Sequence, residues 1–219
     1  MIKRAIEERI HNALAKKKIV TIMGPRQVGK STLAGAMIPE DANDLEINGD
    51  NTDVQTMFVN VDDTKMKVLI GNKNFLFVDE AQKIGNVGNM LKIVAEKFDD
   101  VKVIVTGSSA FKLAEAVNES LTGRKREFRL YPLSFKEMAD ETSVLEESRM
   151  IDHRLIYGYY PEVVTSPGDE KEVIKELIDS YLYKDVLEEN EIAKQDKLVR
   201  LVQALAFQIG STVSANELA

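Results

Sequence analysis

Cysteine is absent from the 219 residues, and its absence rules out disulfides, thiolate metal sites and cysteine nucleophiles. A reducing compartment fits that composition. Histidine occurs only as His11 and His153, each isolated on a stretch that reads as a helix. Without cysteine or clustered histidine, no transition-metal site can be built. No apolar run approaches the roughly 18 residues of a membrane span. The start, Met-Ile-Lys-Arg-Ala-Ile-Glu-Glu-Arg, is too charged for the apolar core of a secretory signal. The expectation is a cytoplasmic protein with no membrane partner. A net charge of -7 speaks against bulk attraction to nucleic acid or anionic lipid. Lysine and arginine are missing altogether from Glu40 through Asp63. That acidic stretch reads as a solvated loop region, because it lacks the ligand spacing and closing glutamate of a calcium loop. Positive charge gathers near the start instead, at Lys3, Arg4, Arg9, Lys16, Lys17, Lys18, Arg26 and Lys30.

What the chain does contain is a regular alternation of patterns. Ile2, Ile6, Ile10, Ala13 and Leu14 recur at helical spacing and predict an amphipathic N-terminal helix. Lys16 to Lys18 then fall at its C-terminal end, which favours cations. Short β-branched or aromatic runs follow at Ile19–Met23, Leu45–Asn48, Phe75–Asp79, Val101–Thr106 and Glu127–Tyr131. The unbroken apolar stretches Phe75–Val78 and Val103–Val105 suit strands buried on both faces of a parallel sheet. Between the runs, Met90–Phe98 and Phe111–Val117 show helical periodicity. The alternation implies an α/β fold with a doubly wound, mainly parallel five-stranded sheet.

After Pro132 the strand signal stops. Leu133–Asp140, Met150–Tyr157, Glu170–Glu188 and Lys194–Ile209 read as helices. The expected organisation is a core with its N-terminal helix over 1–132, a helical lid subdomain over 133–193, and the start of a helix-turn-helix unit over 194–219. In that last segment Ser214 caps a second helix, with Glu217 three residues on. The chain then stops before a recognition helix. The expectation is a truncated chain, in which any DNA contact belongs to the missing part.

The stretch Gly24-Pro-Arg-Gln-Val-Gly-Lys-Ser-Thr32 follows the first expected strand and opens a helix. It fits G-x-x-x-x-G-K-[ST], the phosphate-cradling loop of P-loop NTPases, in the context that motif requires. Gly24, Pro25, Arg26, Gln27, Val28 and Gly29 would present backbone N–H groups to a nucleotide, helped by the helix N-terminus. Lys30 would reach the β- and γ-phosphates, Ser31 would ligate Mg²⁺, and Thr32 would line the phosphate side. Phe75-Leu-Phe-Val-Asp-Glu-Ala-Gln82 delivers two carboxylates to the C-terminal end of an apolar strand, the edge where ligands bind in such sheets. Asp79 suits Mg²⁺ coordination, direct or through water, and Glu80 suits a general base acting on the attacking water. Two adjacent acids on so apolar a strand are costly without a cation to face. Val103-Ile-Val-Thr-Gly-Ser-Ser109 ends in hydroxyls, with Ser108 the first choice and Thr106 the second for sensing the γ-phosphate or the water. Arg124, in Leu121-Thr-Gly-Arg-Lys-Arg126, is a guanidinium suited to developing phosphoryl charge, in this chain or on a neighbour's nucleotide. An ordinary basic surface turn is the competing reading.

Gly24-Pro-Arg-Gln-Val-Gly-Lys-Ser31, Val78-Asp-Glu-Ala-Gln82, Thr106-Gly-Ser-Ser109, Leu121-Thr-Gly-Arg124 and Leu130-Tyr-Pro-Leu-Ser-Phe135 occur in that order. Together they resemble the prokaryotic AAA+-superfamily ATPases whose P-loop reads G-P-R-Q-V-G-K-[ST]. The resemblance covers residues 1 to 135 most strongly. Gly158-Tyr-Tyr-Pro-Glu-Val-Val164 and Tyr181-Leu-Tyr-Lys-Asp185 extend it less specifically. It implies ATP and Mg²⁺ as cofactors, hydrolysis of ATP, a helical lid, and a following winged-helix and further C-terminal domain. It also allows self-association through Arg124 without requiring it.

The expected function is Mg-dependent ATP binding and hydrolysis coupled to a conformational switch between core and lid. A nucleotide-gated binding module with little or no turnover stays open as the alternative. A small-molecule kinase fits less well, since a base that activates water wastes ATP in a kinase. A helicase also fits less well, because Thr-Gly-Ser stands where Ser-Ala-Thr is expected and no second motor domain follows.

Overall fold

A computed structural model of the chain describes residues 1–108, 121, 123–179 and 195–214. These form two compact units, Met1–Pro161 and Glu162–Ala219. The first unit runs α1 (Glu7–Ala15), β1 (Ile19–Met23), α2 (Lys30–Ala36), β2 (Asp44–Asn48), α3 (Thr52–Phe58), α4 (Asp63–Ile70) and β3 (Phe75–Asp79). After a 3-10 turn at Ala81–Lys83 it continues with α5 (Val87–Lys97), β4 (Lys102–Gly107), β5 (Lys125–Arg129), α6 (Phe135–Glu141), α7 (Val144–Arg149) and α8 (Ile151–Tyr157).

The five strands form one sheet in the order β2-β3-β4-β1-β5, and every neighbouring pair is parallel. Side chains alternate between two cores, as the period of two demands. Ile19, Met23, Leu76, Val78, Val103 and Val105 face one core with Met66, Ile70, Leu91 and Val94. Val20, Ile22, Phe75, Phe77 and Ile104 face the other, with Ile10 and Leu14 of α1 and Leu33 of α2. Helices therefore cover both faces, which is why the inner strands read as unbroken apolar runs.

β1 and β3 have the bounds their apolar runs predict. β5 lies earlier than the expected Glu127–Tyr131. It is an edge strand with only Phe128 buried, so its sequence carries no apolar run. Its position is set by register with β1, from Ile19 opposite Lys125 to Met23 opposite Arg129. The acidic stretch Glu40–Asp63 holds the strand expected at Leu45–Asn48, as β2, but its remainder is not the loop region expected, for it contains α3 and the first residue of α4. The Asp62 carboxylate accepts from Lys65 N at 2.8 Å and caps α4. Phe58, Met66 and Ile70 then bury against the sheet. Phe58 thus anchors α3 within the acidic stretch, and Met66 and Ile70 anchor α4 just after it, behind the Asp62 cap.

The first two helices after β5 are short, and each is capped by a serine side chain. Ser134 and Glu137 form a reciprocal capping box at α6, and the Ser143 hydroxyl accepts from Glu146 N to start α7. Arg154 of α8 pairs with the buried Glu147 of α7 at 3.1 Å. α6 is tied to the N-terminal segment by the Arg4–Glu137 ion pair at 3.1 Å, with both side chains under one-tenth exposed.

In the second unit, α9 (Pro161–Thr165) starts at the last residue of the first unit, and α10 (Glu170–Leu177) and α11 (Gln195–Phe207) follow. The Glu170 carboxylate accepts from Gly168 N at 2.9 Å, just before α10. The expected helix Phe111–Val117 lies outside the described residues. So do residues 180–188 of the expected Glu170–Glu188 helix, Lys194 of the expected Lys194–Ile209 helix, the motif Tyr181–Asp185, the second helix after Ser214, Ser109 and Thr122.

Burial alone would raise the Glu137 carboxyl. Bonds from the Ala5 and Ser134 amides and from the Arg4 guanidinium outweigh that and hold it below its ordinary value. A depressed folded-state value adds stability at pH above the ordinary carboxylate range, and that stability is lost as pH falls through the folded value. Glu137→Gln should therefore cost about 3 kcal/mol near neutrality, the low end for removing one partner of a buried pair. Its deficit in urea unfolding should shrink as the medium is acidified. A deficit that stays constant with pH would show that shape, and not charge, carries the contact.

Candidate nucleotide site

β1 is buried at all five positions and stands between β4 and β5. The chain leaves it at Gly24 and re-enters regular structure as α2 at Lys30. At Gly24 the loop presses against the residue that follows β5: a Cβ there would lie 2.1 Å from the Leu130 carbonyl oxygen, so only glycine fits. Gly29, before α2, has φ +92, a conformation that side chains rarely adopt. Pro25 and Gln27 are exposed, Arg26 is half-buried, and Val28 is fully buried beneath the loop. The Lys30 side chain turns back over the loop, and its ammonium donates to the Pro25 carbonyl at 2.9 Å. Lys30 is only 4% exposed.

Ser31 and Thr32 are exposed at the head of α2. The Ser31 hydroxyl donates to Asp79, with 2.9 Å to each carboxylate oxygen. Two further donors orient Asp79: the Thr106 hydroxyl on the neighbouring β4, and Glu80 N at 3.1 Å. Glu80 then bends the chain with φ 47 and ψ 44, a left-handed conformation that costs a non-glycine residue about 1–3 kcal/mol. Gly49, at the end of β2, makes room for that bend. Its amide donates to the Asp79 carbonyl at 2.8 Å, and a Cβ on it would meet the Glu80 carbonyl oxygen at 2.3 Å. The Glu80 carboxylate accepts from the Gln82 amide and, at 3.4 Å, from the Ser108 hydroxyl. Gln82 also donates to Ser108 at 2.9 Å.

The structure thus brings Lys30, Ser31, Asp79, Glu80, Thr106 and Ser108 to one edge of the sheet. It does not bring Arg124 there. Arg124 immediately precedes β5, and its carbonyl accepts from Ile19 N, so it lies at the N-terminal edge of the sheet. A five-residue strand at about 3.3 Å per residue puts that edge about 16 Å from the glycine loop. Arg124 sits there 3.6 Å from Glu96, lining a cavity of about 390 Å³ with Lys17, Lys18 and Lys102. A role for Arg124 at this chain's own loop does not fit that placement.

Two residues escaped the sequence reading. Gln82 carried a usable signal, since it lies two positions from Glu80 within the quoted acidic motif. Arg4 carried none, because its partners Val28, Tyr131 and Glu137 are remote in sequence.

A hydroxyl and a carboxylate, Ser31 and Asp79, are hard oxygen donors of the kind Mg²⁺ takes when phosphates and water complete its shell. Among the described residues, no group of three or more His, Cys, Asp or Glu forms a cage that could hold a metal by itself. An ion at this edge would rely on oxygens the ligand brings.

Residues 16–139 match the model of an AAA domain. The chain belongs to the AAA domain family. Residues 134–219 match a domain of unknown function, DUF8612. The AAA chain is 26% identical to an uncharacterized protein of Methanocaldococcus jannaschii, across 97% of this chain and 53% of that protein. An uncharacterized protein of Haemophilus influenzae is also 26% identical, across 67% of this chain and 38% of that one. The AAA chain therefore spans about half or less of the length of these relatives. Among solved structures, the Walker-type ATPase paby2304 of Pyrococcus abyssi superposes with a TM-score of 0.58 at 16% identity, covering 100% of this chain and 87% of that one. A signal-transduction ATPase with numerous domains and a tetratricopeptide-repeat sensor, from Pyrococcus horikoshii, gives 0.52 at 13% identity, covering 92% and 37%. At these identities the likeness is one of fold. No helix among the described residues is long and apolar enough to cross a membrane.

Three glycine substitutions should separate close approach from mere flexibility. Gly24→Ala and Gly49→Ala force backbone apart and should each destabilise by about 1–3 kcal/mol, as overpacking does. Gly35→Ala, on an α2 position with nothing within 4 Å, should stabilise by about 0.5–1 kcal/mol. Chemical denaturation midpoints read all three. Equal effects at Gly49 and Gly35 would remove the β2 contact from the account of Glu80.

Proposed function

We propose that this AAA domain binds Mg·ATP at Gly24–Thr32, hydrolyses it, and couples the cycle to the helices that follow β5. The observation that carries the reading is the Ser31–Asp79 hydrogen bond beside a buried Lys30, with Glu80 and Ser108 next along the same sheet edge. ATP supplies the transferable phosphoryl group, and Mg²⁺ neutralises its charge. Lys30 leaves its bond to Pro25 for the β- and γ-phosphates. Ser31 and Asp79 hold the cation. Glu80 orients the attacking water and takes its proton, and Ser108 fixes the water or the γ-phosphate, with Thr106 keeping Asp79 in place. Gln82 sets the distance between Glu80 and Ser108.

Lys30→Ala should abolish ATP binding in a calorimetric titration. Glu80→Gln should bind ATP normally while its hydrolysis falls by about 10²–10⁴, the usual worth of a general base. Undiminished turnover in that variant would end the base assignment. Binding by the wild type with no phosphate release would favour a nucleotide-gated module. Arg124 enters this reading only through a second copy. Mixing Arg124→Ala with Lys30→Ala chains should then restore part of the activity, and no rescue at any ratio removes Arg124 from the mechanism.

A further inference from the structure

Arg4 lies in the segment before α1 and is 7% exposed. Its guanidinium reaches three parts of the chain at once. Nη1 donates to the Val28 carbonyl in the glycine loop at 3.0 Å. Nη2 donates to the Tyr131 carbonyl at 2.6 Å and to the Pro132 carbonyl at 3.5 Å, where the chain leaves β5 for α6. Nε donates to Glu137 Oε1 on α6 at 3.1 Å. Glu137 is itself fully engaged, accepting from Ala5 N at 2.8 Å and from Ser134 N and Oγ at 2.8 and 2.9 Å.

The bond to Val28 matters because a trans peptide is planar, with its carbonyl and the next N–H pointing in opposite directions. Holding the Val28 carbonyl toward Arg4 aims the Gly29 N–H away from it. Gly29 sits at φ +92, where glycine alone is at ease, and glycine has the freedom to swing elsewhere. An outside anchor is what selects one orientation. Glu137 cancels most of the guanidinium's charge, so the anchor works by its forked geometry more than by its field. The same fork joins Val28 to the exit of β5 and to α6, so neither end can shift without disturbing bonds at the other.

We infer that Arg4 is a positioning residue: it sets the glycine loop for phosphate and couples that loop to α6. The inference rests on the nucleotide reading proposed above. It extends that reading to how ligand at the loop and the arrangement of α6 influence one another, which must be reciprocal.

The test compares wild type, Arg4→Ala and Arg4→Lys by amide hydrogen exchange and by calorimetric titration with ADP. In Arg4→Ala, exchange over 24–32 and 134–141 should quicken by about tenfold or more while β3 and β4 stay protected, the pattern of local opening. ADP affinity should fall by about 10- to 100-fold, within the range of ordinary coupling. Arg4→Lys keeps the cation but not the fork, and should resemble Arg4→Ala. It also serves if the alanine variant fails to fold. Unchanged exchange at 24–32 in a folded variant overturns the inference, as does ADP binding as tight as wild type. Protection lost evenly from β3 and β4 in Arg4→Lys would make Arg4 a residue of the whole fold and overturn it too. If wild type binds neither ADP nor ATP, the nucleotide reading falls by itself, and the exchange comparison still decides whether Arg4 holds the loop and α6.

Discussion

Strand β1 is enclosed on every side: hydrogen-bonded to β4 and β5 along its edges and packed between two apolar cores through its faces. A slip of one residue would turn Ile19 and Met23 into the α1–α2 core and Val20 and Ile22 out of it. The register is therefore fixed, and with it the level at which the chain leaves the sheet. Met23 stands opposite Gly107 on one side and Arg129 on the other, and Asn48 stands opposite Asp79. Parallel strands in this register end together, so the glycine loop, the two acids and Ser108 share one edge without any long connection to bring them there.

What happens at that edge is a matter of satisfying charge. The Asp79 carboxylate takes donors from α2, from β4 and from the adjacent Glu80 amide, so two separate elements and its own backbone agree on where it points. Glu80 is held less comfortably, in a left-handed turn that β2 accommodates through Gly49. Strain of this kind persists only where surrounding structure over-determines it, and here the Gln82 and Ser108 bonds to its carboxylate help to do so.

The inner sheet and the glycine loop were legible because each has a strong local cause. β1, β3 and β4 are apolar runs sealed on both faces, and the loop is a fixed spacing of glycines before lysine. β5 was blurred because an edge strand with one buried residue writes almost nothing apolar into its sequence. Arg124 precedes the strand with either boundary, in the turn that leads into it. A residue just ahead of a parallel strand belongs to the edge opposite the one that follows it. α3 and α4 were hidden because only Phe58, Met66 and Ile70 in them are buried. Arg4 was illegible for a deeper reason: its role exists only once residues 28, 131 and 137 have met.

The separation of the two sheet edges has a practical side. Asp100 lies at the far edge with its side chain almost fully solvated and pairs at the surface with Lys17, and such pairs contribute at most about 1 kcal/mol. Since the chain has no cysteine of its own, a single thiol introduced at that position would be the sole attachment point for a spectroscopic probe. It would sit about a strand's length, some 16 Å, from the glycine loop. The fold thus offers a handle through which the loop can be watched without being touched.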